Sequence, residues 1–214
     1  KGYTASLPIS NIIKTDSSKY VVSSVKMGIK PDSGSLAFEV IRTSDKGVSS
    51  NHENFITEKF NTDSLDLSDV ILATKVIKDS ENTYPLQRNG IGILPNPTSV
   101  FSGRNDLYLY YEIYNLEVNV DSLTDFDQRI TIKQVNKQNG LQKTINSVLS
   151  LIGINKNKDG ITLSSKYQTA DKNTQMYIQL DMNNAGPGEY KIVVNIFDNI
   201  SKKEVSKSTQ IWWN

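Results

Sequence analysis

Cysteine is absent from this chain of 214 residues, and histidine occurs only once. The absence of cysteine excludes disulfide bonds, thiolate nucleophiles and sulfur-ligated metal sites. One imidazole cannot complete a typical zinc site, and neither His-Glu-x-x-His nor Gly-x-Ser-x-Gly occurs in the sequence. The sequence therefore predicts no metal, no cofactor and no catalytic constellation, so we expect that the protein is not an enzyme.

A dominant charge is also missing, because 24 Lys and Arg residues balance 23 Asp and Glu residues and leave a formal net charge of +1. The charges are interspersed, and the densest basic spot is Lys202-Lys203. Without a basic stripe, nucleic acid is not an expected partner. No apolar run approaches the ~20 residues of a transmembrane helix, so we expect a protein that does not span a membrane.

Short segments of alternating apolar and polar residues, separated by Gly, Pro, Asn and Asp, do run along the whole chain. The clearest is residues 186–198, where a Gly-Pro-Gly turn leads to Tyr190 and then to Ile192, Val194 and Ile196 on one strand face. Such a turn is typical of the tyrosine corner of an immunoglobulin-like sandwich, in which the hydroxyl binds backbone upstream. The sequence therefore predicts an all-β fold with almost no helix.

We expect tandem immunoglobulin-like antiparallel β-sandwiches, divided at the polar break between residues 62 and 63. The domain of residues 1–62 has too few strands for the ~7 of a complete sandwich, so we expect it to be incomplete. Residues 63–214 form the second domain, in which residues 144–154 fit either an extended segment or one short helix. The expected strands are 2–9, 20–29, 35–43 and 54–60 in the first domain, and 67–77, 91–94, 107–116, 129–135, 161–167, 175–182, 189–197 and 205–213 in the second.

Three segments carry a family resemblance: L-D-L-S-D-V-I-L-A at residues 65–73, Leu94-Pro95-Asn96-Pro97 with Phe101, and L-Y-L-Y-Y-E-I-Y-N-L at residues 107–116. Over about residues 35–213 the chain resembles the sandwich region of GWxTD-domain proteins, which are exported proteins of Bacteroidota-like bacteria. The resemblance implies a location outside the cytoplasm. The Gly-Trp-x-Thr-Asp motif itself is absent, and in the family it lies in a later helical region. The resemblance thus implies a fragment and transfers no functional residue.

Several polar motifs have weak functional signals. His52 lies in the polar segment 49–53, which we expect to be a solvated turn. Residues 155–160 resemble half of an EF-hand loop, but the twelfth position is Lys166, so a turn is expected. The acidic cluster of Asp121, Asp125 and Asp127 is expected to be a solvated loop, and Asn89-Gly90 is expected to be a turn into a strand.

Aromatic residues give the strongest signal for binding. In the expected strand 107–116, Leu107, Leu109, Tyr111 and Ile113 should face the core, while Tyr108, Tyr110 and Tyr114 line the opposite face. Such a row of rings can stack on sugars or anchor a protein, or it can be covered by neighbouring strands. Trp212 and Trp213 point to opposite faces of their strand. One should therefore pack inside, and the other, which we predict to be Trp212, should contact a domain or a partner.

We therefore expect a non-enzymatic structural or protein-interaction module whose partner is a protein subunit or a neighbouring domain. Its candidate binding residues are Tyr108, Tyr110, Tyr114 and Trp212. Two alternatives stay open, namely a carbohydrate-binding module that uses the tyrosine row and an accessory domain of a larger enzyme.

Overall fold

The computed structural model describes residues 12–14, 19–24, 33–42, 44–57, 59–78, 84–103, 105–135, 154–157 and 160–214. All regular elements in these residues are β-strands, arranged in several sheets. Within the same residues, no helix has the length and apolar character needed to cross a bilayer. The all-β class predicted from the alternating pattern is therefore confirmed.

The described strands are numbered in chain order. They are β1 (Ile12–Lys14), β2 (Lys19–Val21), β3 (Ser33–Ile41), β4 (Val48–Ile56), β5 (Asp66–Leu67), β6 (Ile71–Lys78), β7 (Leu86–Arg88), β8 (Ile91–Pro95), β9 (Val100–Phe101), β10 (Leu107–Tyr114), β11 (Thr124–Gln134), β12 (Ile154–Asn157), β13 (Gly160–Thr169), β14 (Thr174–Leu180), β15 (Gly188–Asp198) and β16 (Glu204–Trp213).

The chain divides into two compact units. Residues Val25–Thr62 form the smaller one, called the hairpin unit, and Lys1–Ser24 together with Asp63–Asn214 form the larger one, called the sandwich unit. The described strands of the hairpin unit are β3 and β4, which pair with each other. The expected strand 2–9 lies outside the described residues. The division into two sandwich domains stays a prediction.

The sandwich unit contains two six-stranded sheets. One has the order β14-β10-β6-β8-β7, with β5 also paired to β10, and the other has the order β12-β13-β11-β15-β16-β9. All pairings are antiparallel except that of β9 with β16. One apolar core contains side chains from both sheets, which therefore face each other as in a β-sandwich.

The inward faces of β10 and β15 are those that the alternating pattern predicts. Leu107, Leu109, Tyr111 and Ile113 of β10 are fully buried, and so are Ile192, Val194 and Ile196 of β15. The Tyr111 hydroxyl also donates to Gln128 Oε1 on β11 of the facing sheet. Period-two alternation therefore placed the main core correctly.

The tyrosine corner is present at the start of β15. The Tyr190 hydroxyl donates a hydrogen bond of 2.7 Å to the Gly186 carbonyl, four residues upstream. At the other end of β15, the buried Asp198 carboxylate accepts hydrogen bonds from the Glu117 N–H at 2.9 Å, the Ile200 N–H at 2.8 Å and the Ser201 hydroxyl at 2.8 Å. At both ends of this central strand, a side chain of β15 thus binds the neighbouring turn.

Two details of the strand prediction are corrected, and one stays untested. The expected strand 67–77 is split into β5 and β6, because Ser68 turns aside and its hydroxyl accepts a hydrogen bond of 2.9 Å from the Glu112 N–H. The short strands β7, β9 and β12 were not expected, since two to four residues give no readable alternation. The ambiguous segment 144–154 lies outside the described residues except for Ile154.

Candidate functional site

The three candidate tyrosines lie on one face of β10, opposite its core face, as the sequence predicts. They do not form an exposed row, because Tyr110 is only 1% exposed while Tyr108 and Tyr114 are half-buried. Tyr110 packs in a second, smaller apolar cluster with Ala73, Ile91 and Ile93. A ligand can therefore reach Tyr108 and Tyr114 on this face, but not the ring of Tyr110.

A sharp bend in the first sheet covers Tyr110. Ala73 on β6 pairs with Tyr108 on β10. From this pair, Lys78 lies five residues along β6 in one direction, and Glu112 lies four residues along β10 in the opposite direction. Arg88 is aligned with Lys78 through β8, so a flat sheet would separate Arg88 from Glu112 by about 30 Å. The distance from Arg88 Nε to Glu112 Oε1 is 3.7 Å. The sheet must therefore fold back.

The bend has a visible cause in β6. The pairing of β6 with β8 shifts register between Ala73 and Lys75, which is a β-bulge, and bulges bend the strand that carries them. The folded-back hairpin, called the flap, consists of β7 and β8. Its turn is Asn89-Gly90, both with positive φ (43° and 81°), as a two-residue hairpin requires. The expected turn into a strand at Asn89-Gly90 is therefore confirmed.

Glu112 is the polar centre beneath the flap. Its carboxylate accepts hydrogen bonds from the Tyr110 hydroxyl at 2.8 Å and the Tyr114 hydroxyl at 2.5 Å, in addition to the ion pair with Arg88. Burial raises the pKa of both phenols, and the hydrogen bonds to Glu112 raise it further. These hydroxyls therefore stay protonated and act as hydrogen-bond donors, and the arrangement fixes the flap on β10.

Several aromatic and polar side chains lie on the same face of the sheet, where β10 borders β14. Tyr177, 37% exposed, has Lys78 Nζ 6.0 Å from its ring centre. The Tyr108 hydroxyl donates to Gln179 Oε1 at 3.2 Å, and Gln179 Nε2 donates to Asp106 at 2.9 Å. Sequence reasoning did not select Tyr177, although the alternation of Met176, Ile178 and Leu180 placed it on the outward face.

The hairpin unit holds the largest group of exposed apolar side chains among the described residues. Five of them lie on β3 and β4 and are 45 to 82% exposed. This set, called the hairpin surface, consists of Phe38, Val40, Ile41, Val48 and Ile56. The expected strands 35–43 and 54–60 did not indicate this surface, because they were assigned to a two-sheet sandwich, whereas the described residues of the hairpin unit contain a single two-stranded ladder.

The turn of this hairpin is closed by polar contacts. Asp45 accepts hydrogen bonds from Arg42 Nε at 2.7 Å and from the Gly47 N–H at 3.0 Å, and the Arg42 N–H donates to the Gly47 carbonyl at 2.8 Å. The bond from Arg42 and then that from Gly47 hold the pKa of the Asp45 carboxyl below its usual value. The hairpin therefore keeps its shape through its turn and ladder.

Trp212 and Trp213 occupy opposite faces of β16, as predicted. Trp213 is 4% exposed and lies in the core, whereas Trp212 is 49% exposed and its Nε1 donates to Asn214 Oδ1 at 2.7 Å. Trp212 is therefore available for a contact. Whether it binds a partner stays a prediction.

The histidine is placed differently from expectation. His52 lies within strand β4, opposite Ala37, and is exposed. The turn predicted there is wrong, because a polar run on an exposed hairpin has the composition of a loop.

The two candidate cation loops do not assemble a site in the described residues, where no group of metal-ligating side chains occurs. Asn199 Nδ2 bridges Asp125 at 2.8 Å and Asp127 at 3.2 Å, so an amide occupies the space between these carboxylates. Asn155 and Asn157 belong to β12, and Asn157 pairs with Gly160; residues 158–159, at the centre of the expected turn, lie outside the described residues. Lys166, the residue at the twelfth position of the EF-hand-like segment, has its Nζ 3.7 Å from Asp127 Oδ1.

The sequence matches no protein-family model, and a search of curated proteins finds no match. The resemblance to GWxTD-domain proteins therefore stays a prediction.

Proposed function

We propose that this chain is a non-enzymatic protein-interaction module that binds its partner through the hairpin surface. The observation that carries the proposal is the concentration of exposed apolar side chains on β3 and β4. Elsewhere in the described residues, exposed large apolar side chains occur singly, such as Val120, Val135 and Trp212. Phe38 and Val40 are neighbours on one face of the ladder, and Ile41 lies opposite Val48 on the other face. Scattered apolar residues are normal on a protein surface, whereas such neighbouring exposed residues are typical of an interaction site.

The way the hairpin is held together supports the same proposal. An isolated two-stranded hairpin is at best marginally stable, and a third strand or a packed face stabilises it. Here the Asp45 turn fixes the geometry in advance, which lowers the entropy cost of binding. A preformed hairpin with apolar side chains is therefore suited to docking.

Two further parts of the proposal concern the location of the protein and the arrangement of its sandwich unit. The resemblance to exported proteins supports a location outside the cytoplasm. An immunoglobulin-like arrangement of the sandwich unit is supported by the bond from Tyr190 to the Gly186 carbonyl and by the facing inner faces of β10 and β15. In this proposal the sandwich unit is a stiff support.

Photocrosslinking tests the function. A photoreactive phenylalanine at Val40, in the full chain produced in its native cells, should give adducts of one defined mass, because the partner covers this residue. The same group at Lys191, an exposed position on β15, is the matched control and should give none. A chain that is strictly monomeric at micromolar concentration and forms no adduct from Val40 would contradict the proposal.

Carbohydrate binding is the second candidate, and Tyr177 is the observation that favours it. The exposed ring of Tyr177 and the half-buried ring of Tyr108 lie beside the amide of Gln179 and the carboxylate of Asp106, and a ring with neighbouring polar groups can hold a sugar. Glycan-array binding that is lost in Tyr177→Ala and kept in Trp212→Ala would support it. Equal binding by both variants would argue against this face.

A further inference from the structure

We propose that the outer edge of β3 between Ser35 and Ile41, which pairs with no other strand in the described part of the chain, is a strand-acceptor site for an extended segment of a different protein. That segment carries apolar residues at alternate positions and presents a lysine or arginine to Glu39. This inference rests on the proposed interaction function and names the mode of binding and the chemistry of the partner. In such binding, main-chain hydrogen bonds give affinity, and alternate side chains give specificity.

The hydrogen-bond pattern identifies the backbone groups that point outward. The Arg42 N–H donates to the Gly47 carbonyl, and the register continues from Ile41 opposite Val48 to Ser33 opposite Ile56. Hydrogen-bonded and non-hydrogen-bonded pairs alternate in an antiparallel ladder. The even-numbered residues of β3 therefore bond to β4, while the odd-numbered residues direct N–H and C=O groups away from it. In the described part of the chain, β3 is paired with β4 alone.

The side chains favour the edge of β3 over that of β4. Leu36, Phe38 and Val40 follow one another on one face of β3. The residues opposite them on β4 are Glu53, Asn51 and Ser49. A strand added beside β3 would extend an apolar row, whereas one added beside β4 would meet polar and charged side chains, which are typical of protected edges.

Charge decides between a second copy and a different protein. Glu39 is exposed on the other face of β3, while Arg42 is bound to Asp45 at 2.7 Å. If β3 paired with β3 of a second copy, with the apolar faces together, Glu39 would lie opposite Ala37, Glu39 or Ile41 in the central registers. None of these is a cation, and like charges directly opposite are destabilising. A heterologous strand with Lys or Arg at this position is therefore the better complement.

A phage-displayed library of random linear nonapeptides, selected on the full chain, tests the proposal. The enriched peptides should alternate apolar and polar residues and contain Lys or Arg. Bound peptide should slow hydrogen exchange at the Ala37 and Glu39 amides. Failure to enrich any peptide, or enrichment without alternation, would overturn the acceptor site, whereas adducts from Val40 in cells would still support the interaction function.

Two matched proline variants separate the edges. Ala37→Pro removes an outward N–H from β3, and Ser50→Pro removes one from the outer edge of β4, so neither breaks a hydrogen bond between β3 and β4. Ala37→Pro should weaken peptide binding about tenfold, as the loss of one or two hydrogen bonds implies. Ser50→Pro should leave binding unchanged. The reverse result would assign binding to β4 and overturn the proposal.

Charge exchange keeps the test independent of proline effects on folding. Glu39→Lys should weaken binding of the Lys-containing peptides, and changing their Lys to Glu should restore it. Unchanged binding of the original peptides to Glu39→Lys would overturn the assigned role of Glu39 and with it the stated partner.

Discussion

The sandwich unit and the hairpin unit hold antiparallel strands together by different means. In the sandwich unit, side chains from two sheets bury one another, and the central strand β15 has three fully buried aliphatic residues. In the hairpin unit, comparable apolar residues on β3 and β4 remain exposed, and the turn supplies the order. The comparison teaches that the same period-two pattern serves as a core in one place and as a surface in the other.

A pair of aspartates makes the contrast sharper, because each closes a turn between two strands. Burial alone would raise the pKa of Asp198, but hydrogen bonds from Glu117, Ile200 and Ser201 outweigh it and lower the pKa below its usual value. Asp45 also has a lowered pKa, through Arg42 and Gly47, but its side chain is 55% exposed. Hydrogen bonds to the carboxylate should therefore contribute more to stability at Asp198 than at Asp45.

The largest expected effect comes from the same substitution made in each unit. Ile192→Ala should destabilise the sandwich unit by about 3 kcal/mol, because it leaves a cavity at a fully buried position. Ile41→Ala, at a residue 54% exposed, should change stability by less than about 0.5 kcal/mol. Urea unfolding followed by tryptophan fluorescence measures the loss of stability in Ile192→Ala, and urea unfolding followed by circular dichroism measures it in Ile41→Ala. Similar costs would contradict the contrast between core and surface.

Asp198→Asn should cost about 2 kcal/mol at neutral pH, because hydrogen bonds to a buried carboxylate are charge-assisted. Since folding lowers the pKa of Asp198, its contribution is complete above the unfolded value of about 3.9 and is lost as pH falls through the folded value. The stability difference between wild type and variant, from urea midpoints, should therefore shrink near pH 3. Asp45→Asn is the control and should leave the midpoint unchanged. A pH-independent difference would rule out this account of Asp198.

Glu112→Gln tests the flap within the sandwich unit. The substitution should cost about 1 to 2 kcal/mol, since it removes the charge that two phenols and Arg88 share. Hydrogen exchange should become faster at the amides of β7 and β8, while the pairing of β10 with β14 stays protected. Glu117→Gln, at an exposed side chain, is the control. Unchanged exchange in the flap would show that the apolar cluster around Tyr110 holds it alone.

The smallest effect is expected at the tyrosine corner. Tyr190→Phe should cost about 1 kcal/mol, because it removes the hydroxyl that binds the Gly186 carbonyl and leaves the ring in the core. Tyr177→Phe, at a residue 37% exposed, is the control. Differential unfolding in urea resolves the two variants. A cost equal to that of the control would mean that the hydroxyl bond contributes nothing.

Much of the sandwich unit could be predicted from sequence because its strands alternate over eight to eleven residues. Over that length, Tyr190 and the aliphatic residues after it identify both the turn and the buried face. The turn at Asn89-Gly90 and the strand after it were predicted, but the strand β7 and the folding back of the flap could not be. Its strands are three and five residues long, and its position depends on a bulge that appears only in the register of β6 with β8.

The candidate site was predicted only in part, for the same reason. The pattern correctly placed Tyr108, Tyr110 and Tyr114 on one face, but it contains no information about which distant strand folds over that face. The burial of Tyr110 follows from contacts with Ile91 and Ile93, almost twenty residues away in sequence. The hairpin surface was missed because alternation predicts that one face differs from the other, and says nothing about whether a second sheet exists to cover it.

The bulge in β6 also bears on which changes of length the chain tolerates. Deleting Thr74 would restore an unbroken ladder between Ala73 and Lys75, and a shift by one residue reverses the side on which each later side chain of a strand projects. Val76 would then leave the cluster around Tyr110 and Arg88 would move out of reach of Glu112. Deletion of Thr74 should therefore be more damaging than its substitution, because the fold here depends on the number of residues in β6 and only weakly on the side chain at this position.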